Sequence, residues 1–180
     1  MAITYYYGAF RLDDALSPPS LLVWHNGAWV AAIGPSVPAP AVRAYHNAAQ
    51  SLTNNAFTTL AFNSTRFDQG TATAQHDNST NNSRLTCRHT GIYQITGQVE
   101  FASNSTGQRA IALHLNGSTY IDQVEQGAVS GDVTIMNITT LYSLTSGDYV
   151  ELQAFQNRGG SLNADSAGNQ YPEFMMVQVG

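Results

Sequence analysis

The chain has 180 residues, 43% hydrophobic, 11% charged and 10% aromatic, enough for one well-buried core and little for a second. Seven basic residues, all Arg, stand against twelve acidic ones for a formal charge of −5, so no stretch supplies the concentrated positive field that nucleic-acid phosphates require. The single cysteine, Cys87, excludes an intrachain disulfide, and no window approaches the run of about eighteen apolar residues that a membrane helix needs.

Ser, Thr and Asn fill 46 positions, so polarity is carried by neutral hydrogen-bonding side chains, a profile suited to an all-β fold. The start, MAITYYYGAF, has no basic stretch followed by an apolar run. No secretory signal is therefore expected, and the chain reaches any outer surface by assembly or lysis.

In chain order, ITYYYGAF reads as a short aromatic strand and LLVWHNGAWVAAI as a hairpin turned at Asn26-Gly27. Tyr5, Tyr6, Tyr7, Trp24 and Trp29 are candidates for attachment to a partner, because aromatic anchors dominate interface energetics. The alternative is that they pack on their own domain. The run GPSVPAPAV then favours a stiff, extended connector. Residues 1–41 are thus expected to form an attachment segment and residues 42–180 the main domain.

Beyond that boundary the period is two. In GIYQITGQVEFA, residues Tyr93, Ile95, Gly97, Val99 and Phe101 share one face, while Gln94, Thr96, Gln98 and Glu100 share the other. RAIALHLNGSTYI turns at Asn116-Gly117, and Ser146 to Asp148 reverse the chain before DYVELQAFQ. Short strands punctuated in this way indicate a sandwich or jelly roll with almost no α-helix. Two strands are apolar on both faces: Tyr149 and Phe155 lie opposite Val150, Leu152 and Ala154, and EFMMVQV alternates apolar residues to both sides. A strand buried on both sides needs a second partner, and another copy of the chain would supply it.

The ordered set RAYHNAAQ, TTLAFNSTRFD, GIYQITGQVEF, RAIALHLNGS, SLTSGDYVELQAFQ and YPEFMMVQVG resembles the globular head of the complement first component and the tumour necrosis factor superfamily. Within that family, AYHNAAQSLTNNAFTTLAFNSTRFD is most similar to heads on tailed-bacteriophage structural proteins. The resemblance implies a ten-stranded jelly roll assembling as a homotrimer, with Tyr45, Tyr149, Phe155, Met175 and Val177 on the outward apolar side of the inner sheet as the trimer interface. It further implies a non-enzymatic virion surface protein, a capsid decoration or head fibre. The N-terminal unit would bind a major capsid or tail protein, and the head would be displayed outward, with a host surface glycan as a further partner. A tail-fibre or tail-tip receptor-binding protein is the alternative, and a carbohydrate depolymerase a weaker one.

No catalytic residue is assigned. Glu100 and Glu151 both fall on polar strand faces, but no nucleophile elbow, zinc-protease helix, P-loop or dinucleotide fingerprint occurs. His25, His46, His76, His89 and His114 are scattered without ligand spacing, and nothing resembles a calcium loop, so neither metal nor cofactor is expected. A single histidine tripled on a threefold axis stays open. Cys87 reads as an inert buried thiol within a strand.

Overall fold

The computed structural model describes residues 4–7, 10–13, 20–25, 27–31, 38–168 and 170–180, with the side chains of 22–24, 27–29, 38–168 and 170–180. All regular structure among them is β, and the chain divides into two compact units, Met1–Pro38 and Ala39–Gly180.

The first unit is a four-stranded antiparallel meander of β1 (Thr4–Tyr7), β2 (Phe10–Asp13), β3 (Ser20–His25) and β4 (Ala28–Ala31). The β3–β4 hairpin foreseen in the sequence is present, with Trp24 opposite Trp29. ITYYYGAF is not one strand: TYYY and FRLD pair with each other, Tyr7 opposite Phe10. Aromatic residues on both sides of a short break give the run a uniform strand propensity, which hides the reversal. Asn26, Pro18, Pro19, Pro35 and the side chains of Tyr5, Tyr6 and Tyr7 lie outside the described residues.

The second unit is a two-sheet sandwich. Its strands are β5 (Ala41–Tyr45), β6 (Gln50–Leu52), β7 (Ala56–Thr59), β8 (Ser64–Gln69), β9 (Arg84–Thr86), β10 (Gly91–Phe101), β11 (Gln108–Leu115), β12 (Thr119–Gly127), β13 (Thr134–Leu144), β14 (Tyr149–Gln156), β15 (Leu162–Asp165) and β16 (Glu173–Gln178). This is twelve strands among the described residues where ten were expected. The surplus comes from pieces of three or four residues, such as β6, β7 and β9, along the irregular stretch before β10.

One sheet has seven strands, ordered β6-β15-β10-β16-β5-β8 with β13 on the other edge of β10; the second has four, β12-β11-β14-β9. Alternation decides what lies between them. From the larger sheet come Tyr93, Ile95, Val99, Phe101, Phe174 and Met176; from the smaller come Ile111, Leu113, Val150, Leu152 and Ala154, all essentially solvent-free. The rings of Phe62 and Phe174 meet at 5.5 Å in this layer. Gly97 marks the closest approach of the sheets, since a Cβ there would lie 2.6 Å from Leu152 Cδ1.

The turns follow the sequence signals. Asn116 and Gly117 take left-handed φ of 51° and 66°, and Ser118 N donates to Leu115 O at 3.0 Å, closing the turn in the three-residue connection between β11 and β12. Cys87 falls just after β9 rather than within a strand. It is buried, its thiol donates to His89 O at 3.1 Å, and burial raises its pKa, so it stays a protonated, inert group.

Candidate self-association face and loop cleft

The outward face of the seven-stranded sheet carries several exposed apolar side chains. On β10 and β13 it carries Ile92, Ile135 and Leu141, exposed by 47%, 42% and 63%. Cross-strand register places Leu141 beside Gln94 and Val177, and Thr139 and Thr96 in line with Met175, Arg43 and Phe67. Phe67 is also exposed, while Met175, Val177 and Tyr45 are half-buried. Exposed Ile, Leu and Phe on one sheet face, interleaved with Gln and Thr and flanked by Glu100 opposite Ile135 and Arg43 opposite Phe67, make a patch of the kind that marks association.

Glu173 sits within this face with no exposure at all. Its carboxylate accepts from Arg43 Nε at 2.7 Å on one oxygen and from Arg66 Nε at 2.8 Å on the other. The Arg66 guanidinium lies 3.9 Å over the Tyr45 ring, so the buried carboxylate is met by two arginines at this end of the face.

The five residues expected to form one interface divide between the two sheets. Tyr45, Met175 and Val177 lie on the seven-stranded sheet, on its outward face. Tyr149 and Phe155 lie on β14 of the four-stranded sheet, facing the opposite side of the sandwich. Both are already covered: Arg84 stacks 3.9 Å over Tyr149, and Phe155 packs against Phe57 at 5.4 Å, which in turn meets Tyr120 at 5.4 Å. Period two shows that a strand has two apolar faces but not which sheet it joins, and so cannot group residues from different strands. The exposed apolar residues of the larger sheet's outward face, Ile92, Ile135, Leu141 and Phe67, are not singled out by the sequence reading, although TIMNITTLYSL carries an Ile and a Leu on its otherwise polar face.

The two carboxylates weighed for catalysis are on opposite outer faces and share no cleft. Glu151, on β14, accepts from Ser83 Oγ at 2.7 Å and pairs with Arg84 at 3.4 Å. Glu100, on β10, stands opposite Asp165 in register. Its carboxyl pKa is raised by burial and then by the charges of Asp165 and Asp132; that of Asp165 is raised by burial. A carboxyl with a raised folded-state pKa weakens the fold once ionised, and the penalty fades as pH falls through that value. Glu100→Gln is therefore expected to raise the thermal midpoint at pH 7 and to leave it unchanged below about pH 4, read from paired melting curves.

A second feature lies on the outer side of the four-stranded sheet: a cleft of about 320 Å³ between β9 and the loop of residues 75–81. Arg84, Thr86 and Arg88 alternate along its strand wall, with Tyr149 beside them. The loop wall is held by backbone and side chain alike. Thr86 N donates to Gln75 O at 2.7 Å, and both Gln75 N and His76 N donate to Asp68 Oδ2. The His76 ring bridges Arg84 O and Phe62 O at 2.9 and 3.0 Å. Asp77 Oδ1 accepts from Thr80 N, Ser79 N and the Ser79 hydroxyl, and those donors lower its pKa to about 2. Among the described residues no group of three or more His, Cys, Asp and Glu is placed to hold a metal ion.

In the N-terminal unit Trp24 is 51% exposed and meets Trp29 edge to face at 5.3 Å, a paired indole surface on one hairpin. Tyr5, Tyr6 and Tyr7 lie along β1, an edge strand of that meander.

No family model and no curated protein matches the chain. Solved structures do. The Eiger TNF of S. frugiperda superposes with a TM-score of 0.58 at 13% identity, over 79% of this chain and 94% of that one. The globular domain of the zebrafish complement 1qA protein gives 0.54 at 13%, over 78% and 98%, and murine APRIL 0.58 at 14%, over 78% and 99%. At such identities the likeness speaks to architecture alone. The chain carries the jelly-roll fold of tumour necrosis factor-like and complement-head domains.

Proposed function

We infer that the chain is a non-enzymatic display protein that works as a homotrimer, with the second unit as head and the N-terminal meander as attachment unit. The observation that carries this reading is the outward face of the seven-stranded sheet, where Ile92, Ile135, Leu141 and Phe67 stand exposed, Ile92 and Leu141 opposite the uncharged Ser143 and Gln94. Covering them against a second copy would contribute about 1 kcal/mol each, half of the value for full burial of such side chains. The number three rests on the resemblance to heads that assemble as trimers. The particle setting, a virion surface with a capsid or tail protein as partner, rests on the likeness of AYHNAAQSLTNNAFTTLAFNSTRFD to bacteriophage heads. The exposed Trp24-Trp29 pair supports an attachment role for the first unit, and a surface glycan fits the hydroxyl- and amide-rich loops.

Sedimentation of the full chain at micromolar concentration tests the core of this reading: a mass of three chains is expected, and a folded monomer overturns it. Trp24→Ala with Trp29→Ala should keep that mass while abolishing co-sedimentation with assembled particles. Retained incorporation would remove the attachment role.

A further inference from the structure

The cleft beside β9 has the properties of a ligand site that the association face does not use. Its walls are fixed before any ligand arrives, because the 75–81 loop is tied to β8, β9 and the Phe62 backbone. A pre-organised cavity loses little freedom on binding, and its volume lies at the lower end of those that take small molecules.

The polar groups in it are unspent. Arg88 uses Nε on Ala74 O at 2.9 Å, and among the described residues no carboxylate pairs with it. Its two terminal nitrogens form a fork suited to a carboxylate. The hydroxyls of Thr80 and Thr86 and the amide of Asn81 have no internal partner among the described residues. Asp77 keeps its second oxygen, Oδ2, as an acceptor.

This donor and acceptor pattern selects among ligands. A plain anion such as phosphate offers acceptors only, which satisfy Arg88 but face the Asp77 carboxylate unfavourably. A neutral sugar offers hydroxyls to Asp77, Asn81 and the threonines but leaves the Arg88 fork without its match. A sugar carrying a carboxylate answers both. We propose that this cleft binds an acidic saccharide residue, with the carboxylate on Arg88 and ring hydroxyls on Asp77, Thr86 and Asn81.

The proposal rests on the display reading only for what the ligand is used for, since binding here needs neither trimer nor particle. The test is a ligand-detected NMR titration of the full chain with sodium glucuronate, glucose and inorganic phosphate. Glucuronate should bind more tightly than either of the others, and Arg88→Gln should weaken it at least about tenfold, the worth of a charged hydrogen bond. Thr86→Val, which keeps the shape of a strand side chain and removes only a hydroxyl without an internal partner among the described residues, should weaken glucuronate binding as well, and carries the test if Arg88→Gln fails to fold. Absent glucuronate binding, phosphate binding of equal strength, or wild-type affinity in both variants overturns the proposal. A monomeric chain that still binds glucuronate would sink the trimer and keep the cleft; a trimer that ignores glucuronate would do the reverse.

Discussion

Leu141→Arg in the full chain is expected to break the proposed trimer into single chains, with the far-ultraviolet circular dichroism of the fold unchanged. Leu141 is 63% exposed and points away from the core, so the subunit itself loses little, within about 0.5 kcal/mol for a surface change of this kind. In an assembly packed through the seven-stranded sheet the same side chain sits at the contact, where the nearest outward groups in register are Gln94 and Val177. Neither carries a charge. A guanidinium there is desolvated without a partner, at a cost of several kcal/mol that recurs in every subunit. Analytical ultracentrifugation reads the outcome directly, and an unchanged trimer mass would place the interface on another surface.

Glu173→Ala should destabilise the fold by about 3 kcal/mol, read from urea unfolding. The Glu173 side chain is fully buried, and its two partners, Arg43 and Arg66, keep 32% and 22% of their side-chain surface. Removing one member of a buried pair typically costs about 3–5 kcal/mol, because the remaining charge stays without compensation. Here the arginines can recover some hydration, which sets the expectation at the lower end. Glu173→Gln keeps the volume and both acceptor directions of one oxygen, so its loss should be smaller. A change below about 1 kcal/mol for the alanine variant would mean that the arginines relax freely into solvent and that the pair contributes little.

Much of the architecture was legible in the sequence because the alternation of β10 and the Asn-Gly and Ser-Gly-Asp turns act over a few residues. Tyr93 to Phe101 sort to one face by parity alone, and Asn116-Gly117 specifies its own backbone. What failed was everything requiring knowledge of which strands become neighbours. Tyr149 and Met175 looked equivalent as second apolar faces, yet β14 and β16 belong to different sheets. Glu173 and Arg109 are both buried, and nothing in the sequence around them signals it. Arg109 is met by the carbonyls of Thr106, Gln108 and Asn104, partners supplied by chain reversal around it and by no spacing rule. No local spacing reveals the cleft, because its strand wall of Arg84 and Thr86 is brought to the loop only by folding.

One margin of the larger sheet is left open. Strand β13 runs for eleven residues and hydrogen-bonds only to β10 among the described residues. Peptide groups along its far border are available to a foreign strand, and a length of this kind is a ready template for unwanted ladder growth. An uncovered edge thus gives the chain a direct route to insoluble aggregates, and heating should yield precipitate enriched in intermolecular β-structure.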